Sequence, residues 1–162
     1  MDKAAFLAKF GAVFEHSPWV AQAAYETTDG LLNDPETLAV RFESLFLASD
    51  PALQLATLRA HPQLVCALSA PDELTRNSKR EQSVAGLDQC SASELAEFGR
   101  LNADYKEKFG FPFIIAVKGL TRQEILEVFR KRLNNDLQLE FQTALQQTCR
   151  IARFRIMDII NG

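Results

Sequence analysis

Two histidines in this sequence could move protons near neutral pH, and His61 is the better placed of them. Pro62 follows it, and a residue before proline is biased away from helical geometry. We therefore expect the preceding helix to end there and to leave the imidazole at a stiff corner between helices. His16 lies in another helix connection and is the weaker candidate. For each histidine, a surface or capping role is the alternative to catalysis.

A short polar stretch, Ser78–Gln82, is the second candidate for chemistry. On a helix Ser78, Glu81 and Gln82 are spaced i, i+3 and i+4, so they share one face. That face would present a hydroxyl, a carboxylate and an amide to a small polar molecule. Glu81 could act as a general base, or as an anion that destabilises a nearby charge. The alternative is an ordinary solvated helix face.

The third candidate is an arginine in the apolar stripe of the last predicted helix, Asp136–Ile160. Arg155 lies about one turn from Ala152 and from Ile159, whereas Arg150 and Arg153 project away. A buried cation needs a carboxylate, carbonyl groups or a ligand. The alternatives to a ligand are a salt bridge to an internal Glu or Asp, or an arginine that reaches solvent from the edge of the stripe. As a ligand-binding residue, Arg155 could be replaced by Leu without loss of thermal stability.

Helix signals are dense enough to place all three candidates on an all-α framework. Serine or aspartate followed by proline predicts three helix starts, before Trp19–Tyr25, Thr37–Leu47 and Ala52–Ala60. Ser91 and Thr121 each precede a glutamate by three residues, the capping-box spacing. Gly110 is expected to end the first of the helices that these boxes start.

One segment, 111–117, is β-branched and aromatic enough for a strand but has no partner to pair with, so we interpret it as a buried connector. Ser69–Thr75 is the longest predicted loop. The sequence therefore predicts one all-α domain of about seven helices over residues 1–162.

Composition excludes several classes of function. The 162 residues carry a net charge of −3, which argues against a nucleic-acid or membrane-surface protein, and no apolar run could span a bilayer. Cys66, Cys90 and Cys149 are too few and too far apart for a disulfide framework or a metal site, so we expect three small buried hydrophobes. No nucleotide or phosphate-loop motif occurs. A cytoplasmic protein without metal or cofactor is the expectation.

Taken together, the motifs resemble the family of 2-oxo-4-hydroxy-4-carboxy-5-ureidoimidazoline (OHCU) decarboxylases, and the match runs through almost the whole chain. The blocks that carry it are, in order, Phe14–Val20, His61–Leu64, Ser78–Gln82, Ala85–Leu87, Leu101-Asn102 with Tyr105, Lys108–Ile115 and Arg153–Arg155.

This resemblance implies an all-α homodimer that needs no cofactor or metal. It implies that His61 is catalytic and that Glu81 stands beside the substrate. The substrate-binding positions that it implies are Pro62, Ser78, Lys79, Arg80, Glu81, Gln82, the backbone of Phe113, Ile114, Ile115, Ala116 and Val117, and Arg155. We expect His61, Glu81 and Arg155 to converge on one small cavity.

The implied reaction removes CO2 from a ring carbon that lies beside a ring carbonyl, which would accept the electrons as an enolate, and it yields (S)-allantoin. Since the substrate supplies its own electron acceptor, no cofactor is required. Either His61 or Glu81, through water, could deliver the final proton. Two rival hypotheses remain open: a helical interaction module or inactive relative, and an enzyme for a different ureido compound.

Overall fold

Eight α-helices occur in the computed structural model, which describes residues 1–28, 34–64 and 75–162. Within these residues the helices, in chain order, are α1 (Lys3–Phe10), α2 (Trp19–Thr27), α3 (Pro35–Leu47), α4 (Pro51–Ala60), α5 (Arg76–Val84), α6 (Ala92–Phe109), α7 (Arg122–Leu133) and α8 (Leu137–Asn161). A short 3-10 helix, Leu87–Gln89, lies between α5 and α6. The all-α prediction is confirmed, with one helix more than the seven expected.

Local capping signals explain most of the helix starts, and a glycine explains the end of α6. Asp34 accepts a hydrogen bond from the Thr37 amide, and Asp50 accepts one from the Ala52 amide. Both predicted capping boxes form, at Ser91 with Glu94 and at Thr121 with Glu124. Gly110 ends α6 with a φ of 77°, a left-handed conformation that glycine adopts without strain.

The predicted cap at Ser17 is wrong. Helix α2 begins at Trp19, so Pro18 takes the N-cap position and Ser17 lies outside the helix. The Ser17 hydroxyl donates to the Glu15 carbonyl at 2.9 Å and bonds the Thr57 hydroxyl at 2.8 Å. Because these partners occupy the side chain, Ser17 stabilises the turn before α2 rather than the helix end.

The chain forms two compact units. The first unit comprises Met1–Ala60 and Leu145–Gly162, and the second comprises His61–Ala144. Helix α8 contributes residues 137–144 to the second unit and 145–161 to the first. A single domain over residues 1–162 stays a prediction.

Each unit has an aromatic core. In the first unit α1 packs on α2 and α2 on α3, around buried rings of Phe6, Phe10, Phe14, Phe42 and Phe46. In the second unit α6 packs on α7, and the buried Tyr105 ring lies 4.5–5.9 Å, between centroids, from those of Phe109, Phe111, Phe113 and Phe129. Such ring pairs stabilise a core beyond their buried area alone.

Segment 111–117 is a buried connector, as predicted. All seven residues are buried, and they form neither a helix nor a strand. Among the described residues, no helix combines the length and the low charge that are needed to cross a bilayer.

The cysteines match their prediction in part. Cys149 is buried, and burial is the main reason why the pKa of its thiol rises to about 12. Cys90 is only half-buried, with its thiol 3.3 Å from the Leu87 carbonyl oxygen. Cys66 and the predicted loop, apart from Thr75, lie outside the described residues.

Candidate active site

The histidine corner forms where it was predicted. Helix α4 ends at Ala60, and the following residues are non-helical. His61 and Pro62 are half-buried, and Leu64 is buried. His61 is therefore the first residue of the second unit, and the proline that follows it restricts its backbone.

Two side-chain amides hold the backbone that follows His61. The Gln82 Nε2 donates to the Gln63 carbonyl at 3.2 Å, and the Asn102 Nδ2 donates to the Leu64 carbonyl at 3.1 Å. Gln82 lies on α5 and Asn102 on α6, so two helices of the second unit anchor this corner. The first of these bonds joins the His61 segment to the helix that carries Glu81.

The polar face of α5 turns inward. Ser78 and Gln82 are only 2% and 6% exposed, so the alternative of a solvated face is wrong for these two, whereas Glu81 is half-buried. Lys79 and Arg80 are exposed. The described structure thus divides the predicted stretch into two buried groups, one half-buried carboxylate and two exposed cations.

Asn102 adds a polar atom to this region. Its Oδ1 is buried and has no hydrogen-bond partner among the described residues. A buried acceptor of this kind ordinarily receives a donor. The site region therefore offers an acceptor that an N–H group of a ligand could use.

The predicted substrate-binding segment Phe113–Val117 belongs to the same unit as His61 and Glu81. The Phe113 ring stacks on Phe129, with centroids 3.8 Å apart and planes at 7°. All five residues of this segment are buried, and binding of a ligand through their backbone groups stays a prediction.

Arg155 lies in the first unit and is paired there. Its Nη2 is 2.9 Å from Glu15 Oε1, its Nη1 donates to the Val13 carbonyl at 3.0 Å, and both charged side chains are 2% exposed. The salt bridge that the sequence left open as an alternative is therefore present. The expectation that Arg155→Leu leaves stability unchanged is corrected, because that substitution would leave a buried carboxylate without this cation. A ligand role for Arg155, and its convergence with His61 and Glu81, stay predictions.

The turn that carries Glu15 has an unusual backbone. His16 has a φ of 46°, in the left-handed region that few residues other than glycine enter. Its imidazole is exposed, whereas Glu15 and Ser17 on either side are buried. His16 thus fits the surface role that was its alternative.

Sequence reasoning missed three residues that the structure makes prominent. Glu15 and Asn102 both lie inside the sequence blocks that carry the family resemblance, and no other feature of the sequence indicated their importance. Arg132 is buried on α7, yet the sequence shows it at the end of a basic run, Arg130–Arg132, that is typical of a solvated helix C-terminus.

An all-α fold that presents an imidazole, a carboxylate and side-chain amides is suited to acid–base chemistry on a small polar molecule. A sequence model described as OHCU decarboxylase matches residues 1–157. The chain belongs to the OHCU decarboxylase family, a family of carboxy-lyases in urate degradation.

Individual relatives agree with this membership. The chain is 39% identical to the uric acid degradation bifunctional protein of Bacillus subtilis over 99% of its own length, but it spans only 31% of that protein. It is 36% identical to the 2-oxo-4-hydroxy-4-carboxy-5-ureidoimidazoline decarboxylase of Haloferax volcanii, covering 98% of this chain and 90% of the relative. A crystal structure of OHCU decarboxylase in the presence of (S)-allantoin superposes with a TM-score of 0.76 and 25% identity, over 95% of this chain and 99% of that one.

Proposed function

We propose that this chain converts 2-oxo-4-hydroxy-4-carboxy-5-ureidoimidazoline to (S)-allantoin and CO2, using His61 and Glu81 as its catalytic residues. One observation supports the residue assignment above all: α5 carries the half-buried Glu81, and the next residue on that helix, Gln82, bonds the backbone beside His61. Family membership supports the choice of substrate.

The substrate's name specifies which group accepts the electrons, and it corrects the expected ring carbonyl to a ring C=N bond. Ring carbon C2 bears an oxo group and C4 bears both the hydroxyl and the carboxyl, so the ring double bond of the imidazoline joins C5 to nitrogen. When the C4–carboxylate bond breaks, its electron pair forms a C4=C5 bond and displaces the double-bond electrons onto that nitrogen. A proton then reaches C5, and the C4 hydroxyl becomes the carbonyl of allantoin as its proton passes to the nitrogen. One proton is taken up for each CO2 released, and no external acceptor is needed.

Glu81 would act on the ground state of this substrate. A carboxylate held near the substrate's own carboxylate repels it, and the repulsion is relieved as neutral CO2 departs. The half-buried position of Glu81 supports this role, because water screens a like-charge interaction less there than at a fully exposed site. The two inward-facing neighbours on α5, Ser78 and Gln82, would hold the substrate's polar groups.

His61 would serve the proton transfers. It would hydrogen-bond the hydroxyl and carboxylate region and assist delivery of one proton to one face of C5, which sets the handedness of the product. Backbone N–H groups of Phe113–Val117 would stabilise the charge that builds on the ring. The buried Asn102 Oδ1 would accept from an N–H group of this donor-rich substrate.

We also propose that the enzyme works without cofactor, as a cytoplasmic homodimer. The substrate's built-in electron acceptor supports the first point, and the free thiols of Cys90 and Cys149 suit a reducing compartment. The exposed apolar side chains of Val40 and Leu47, two turns apart on α3, would offer a surface for a second copy. Light scattering of the purified protein would measure the dimer directly.

The direct test generates the unstable substrate in place from urate and follows the decay of its absorbance with and without the protein. We expect the chain to accelerate the decay, and circular dichroism to show a single allantoin enantiomer. Unchanged decay would contradict the proposal and favour an interaction module or an inactive relative. Racemic allantoin would mean that the protein does not control the protonation step.

Replacing Glu81 with Gln tests its electrostatic role. If repulsion of the substrate carboxylate is relieved on decarboxylation, the variant loses kcat by about 10²-fold, while KM falls or stays the same because ground-state strain has been removed. Steady-state kinetics measure both values. Glu107→Gln, on the exposed surface of α6, is the matched control and should retain wild-type kinetics. A variant of Glu81 in which only KM rises would show that the carboxylate simply binds substrate.

A further inference from the structure

The second unit contains a buried ion pair that the proposed reaction does not use. Arg132 on α7 and Glu140 on α8 are 7% and 0% exposed. The Arg132 Nη2 lies 3.0 Å from Glu140 Oε2, and its Nε donates to both carboxylate oxygens at 3.2 Å. Two donor atoms of the guanidinium are thus committed to one carboxylate, a geometry that fixes the plane of the group.

Other side chains hold the carboxylate in place. The Tyr105 hydroxyl donates to Glu140 Oε2, and the Asn135 Nδ2 donates to Oε1 at 3.0 Å. Burial, together with the bond to Glu140, raises the pKa of Tyr105 far above its ordinary value, so the hydroxyl stays protonated and remains a donor. Glu140 is therefore saturated with donors, and Arg132 has little freedom to move.

The remaining terminal nitrogen of Arg132 points at the predicted substrate-binding segment. Its Nη1 donates to the Ile114 carbonyl at 2.7 Å. The guanidinium carbon also lies 4.4 Å from the centroid of the Phe113 ring, which Phe129 supports from its stacked position. One arginine thus contacts two consecutive residues of a segment that lies in neither a helix nor a strand.

We propose that Arg132, held by Glu140 and Tyr105, is a positioning residue that orients the backbone of Phe113–Val117 toward the substrate. The inference rests on the proposed function, in which this segment's N–H groups meet the reacting ring. A buried ion pair is no better than well-packed apolar residues at stabilising a fold. Apolar residues in place of the ion pair could not fix the orientation of the Phe113–Val117 backbone.

Peptide geometry shows how the orientation is transmitted. In a planar trans peptide, the carbonyl of one residue and the N–H of the next point in opposite directions. Because the Ile114 carbonyl is bound to Arg132, the N–H of Ile115 must point away from the guanidinium. Arg132 would thereby direct that N–H at the ligand without touching the ligand itself.

The first test is Arg132→Lys in the full chain, assayed at a temperature where circular dichroism shows the protein folded. A lysine keeps the charge but cannot serve the carboxylate and the carbonyl in the same planar arrangement. We expect kcat to fall at least about tenfold with a smaller change in KM. Wild-type kcat in the folded variant would overturn the proposal.

A second variant separates positioning from stability and remains informative if Arg132→Lys does not fold. Tyr105→Phe, Arg132→Met and Glu140→Leu together replace the polar network by apolar side chains and leave no buried charge behind. We expect this triple variant to fold and still to lose kcat at least about tenfold. Recovery of wild-type kcat would mean that the network is merely structural.

The matched control is Arg130→Met, two positions away on α7 in an exposed pair with Glu97. It should leave kcat and KM unchanged, and a loss equal to that of Arg132→Lys would contradict a role specific to Arg132. The wild-type assay keeps the two hypotheses apart. An inactive wild-type chain defeats the proposed function, whereas an active chain with fully active Arg132 variants defeats only the positioning role.

Discussion

Replacing His61 with Asn is expected to reduce kcat by at least ~10²-fold while the protein stays folded, because general acid–base catalysis typically contributes that much. Asparagine can still hydrogen-bond but cannot titrate near neutral pH. The fold should survive, since the anchors of this corner are the carbonyls of Gln63 and Leu64, which the substitution leaves in place. Thermal unfolding and the coupled urate assay measure the two outcomes.

The chain provides its own control for this experiment, because it has one other histidine. His16→Asn makes the same chemical change at an exposed position whose φ of 46° asparagine tolerates well. We expect wild-type kinetics from this variant. The idea fails if the His61 variant turns over at the wild-type rate, or if both variants lose activity equally.

With only two imidazoles in the chain, NMR offers a second readout. In each variant the NMR signal of the replaced histidine disappears, and this assigns both signals. The titration of His61 can then be followed in the wild-type protein. A stable purine such as xanthine or allopurinol should shift that titration if the site binds a urate-like ring. An interaction module would show no shift.

Replacing Arg155 with Met is expected to lower the free energy of unfolding by about 3–5 kcal/mol, the typical cost of leaving a buried partner charge uncompensated. The partner is Glu15, which is as buried as the arginine itself. The Val13 carbonyl would lose its donor as well. Denaturant unfolding monitored by circular dichroism measures the change.

A double-mutant cycle distinguishes structure from substrate binding at this arginine. Glu15→Met alone should also destabilise, whereas the pair Glu15→Met with Arg155→Met should recover most of the stability, since no buried charge is left. If Arg155 also binds substrate, the stable double variant keeps a raised KM. If it is purely a structural partner of Glu15, wild-type kinetics return with stability. If the double variant recovers no stability, the ion pair is not the reason why the single variants lose free energy of unfolding.

Several helix ends were predictable from the sequence because their capping partners are local. The boxes at Ser91 and Thr121 use groups three residues away, so spacing alone reveals them. The predicted helix cap at Ser17 is wrong because its hydroxyl bonds Thr57, 40 residues along the chain, and no local rule anticipates such a partner. Helix α1 was missed altogether, although Asp2 caps it and its two phenylalanines, Phe6 and Phe10, are buried.

The candidate site likewise has features that the sequence predicts and features that only the folded structure shows. The corner at His61 and the shared face of Ser78, Glu81 and Gln82 follow from proline sterics and helical periodicity. The bonds that tie this corner to α5 and α6 depend on which carbonyls the folded backbone brings to Gln82 and Asn102. Periodicity also placed Arg155 inside an apolar stripe, but it could not name Glu15 as its partner.

By itself, then, the sequence determined the all-α class, most helix ends, the chemical groups available for catalysis and the family. These depend on residue type and short spacing, which the chain carries before it folds. Only the tertiary structure decided which buried charges are paired, which face of α5 turns inward and what holds residues 113–117. Arg132 shows the reason: its place in a basic run suggests solvent, yet contacts with Ile114 and Glu140, 18 and 8 residues away, place it in the core.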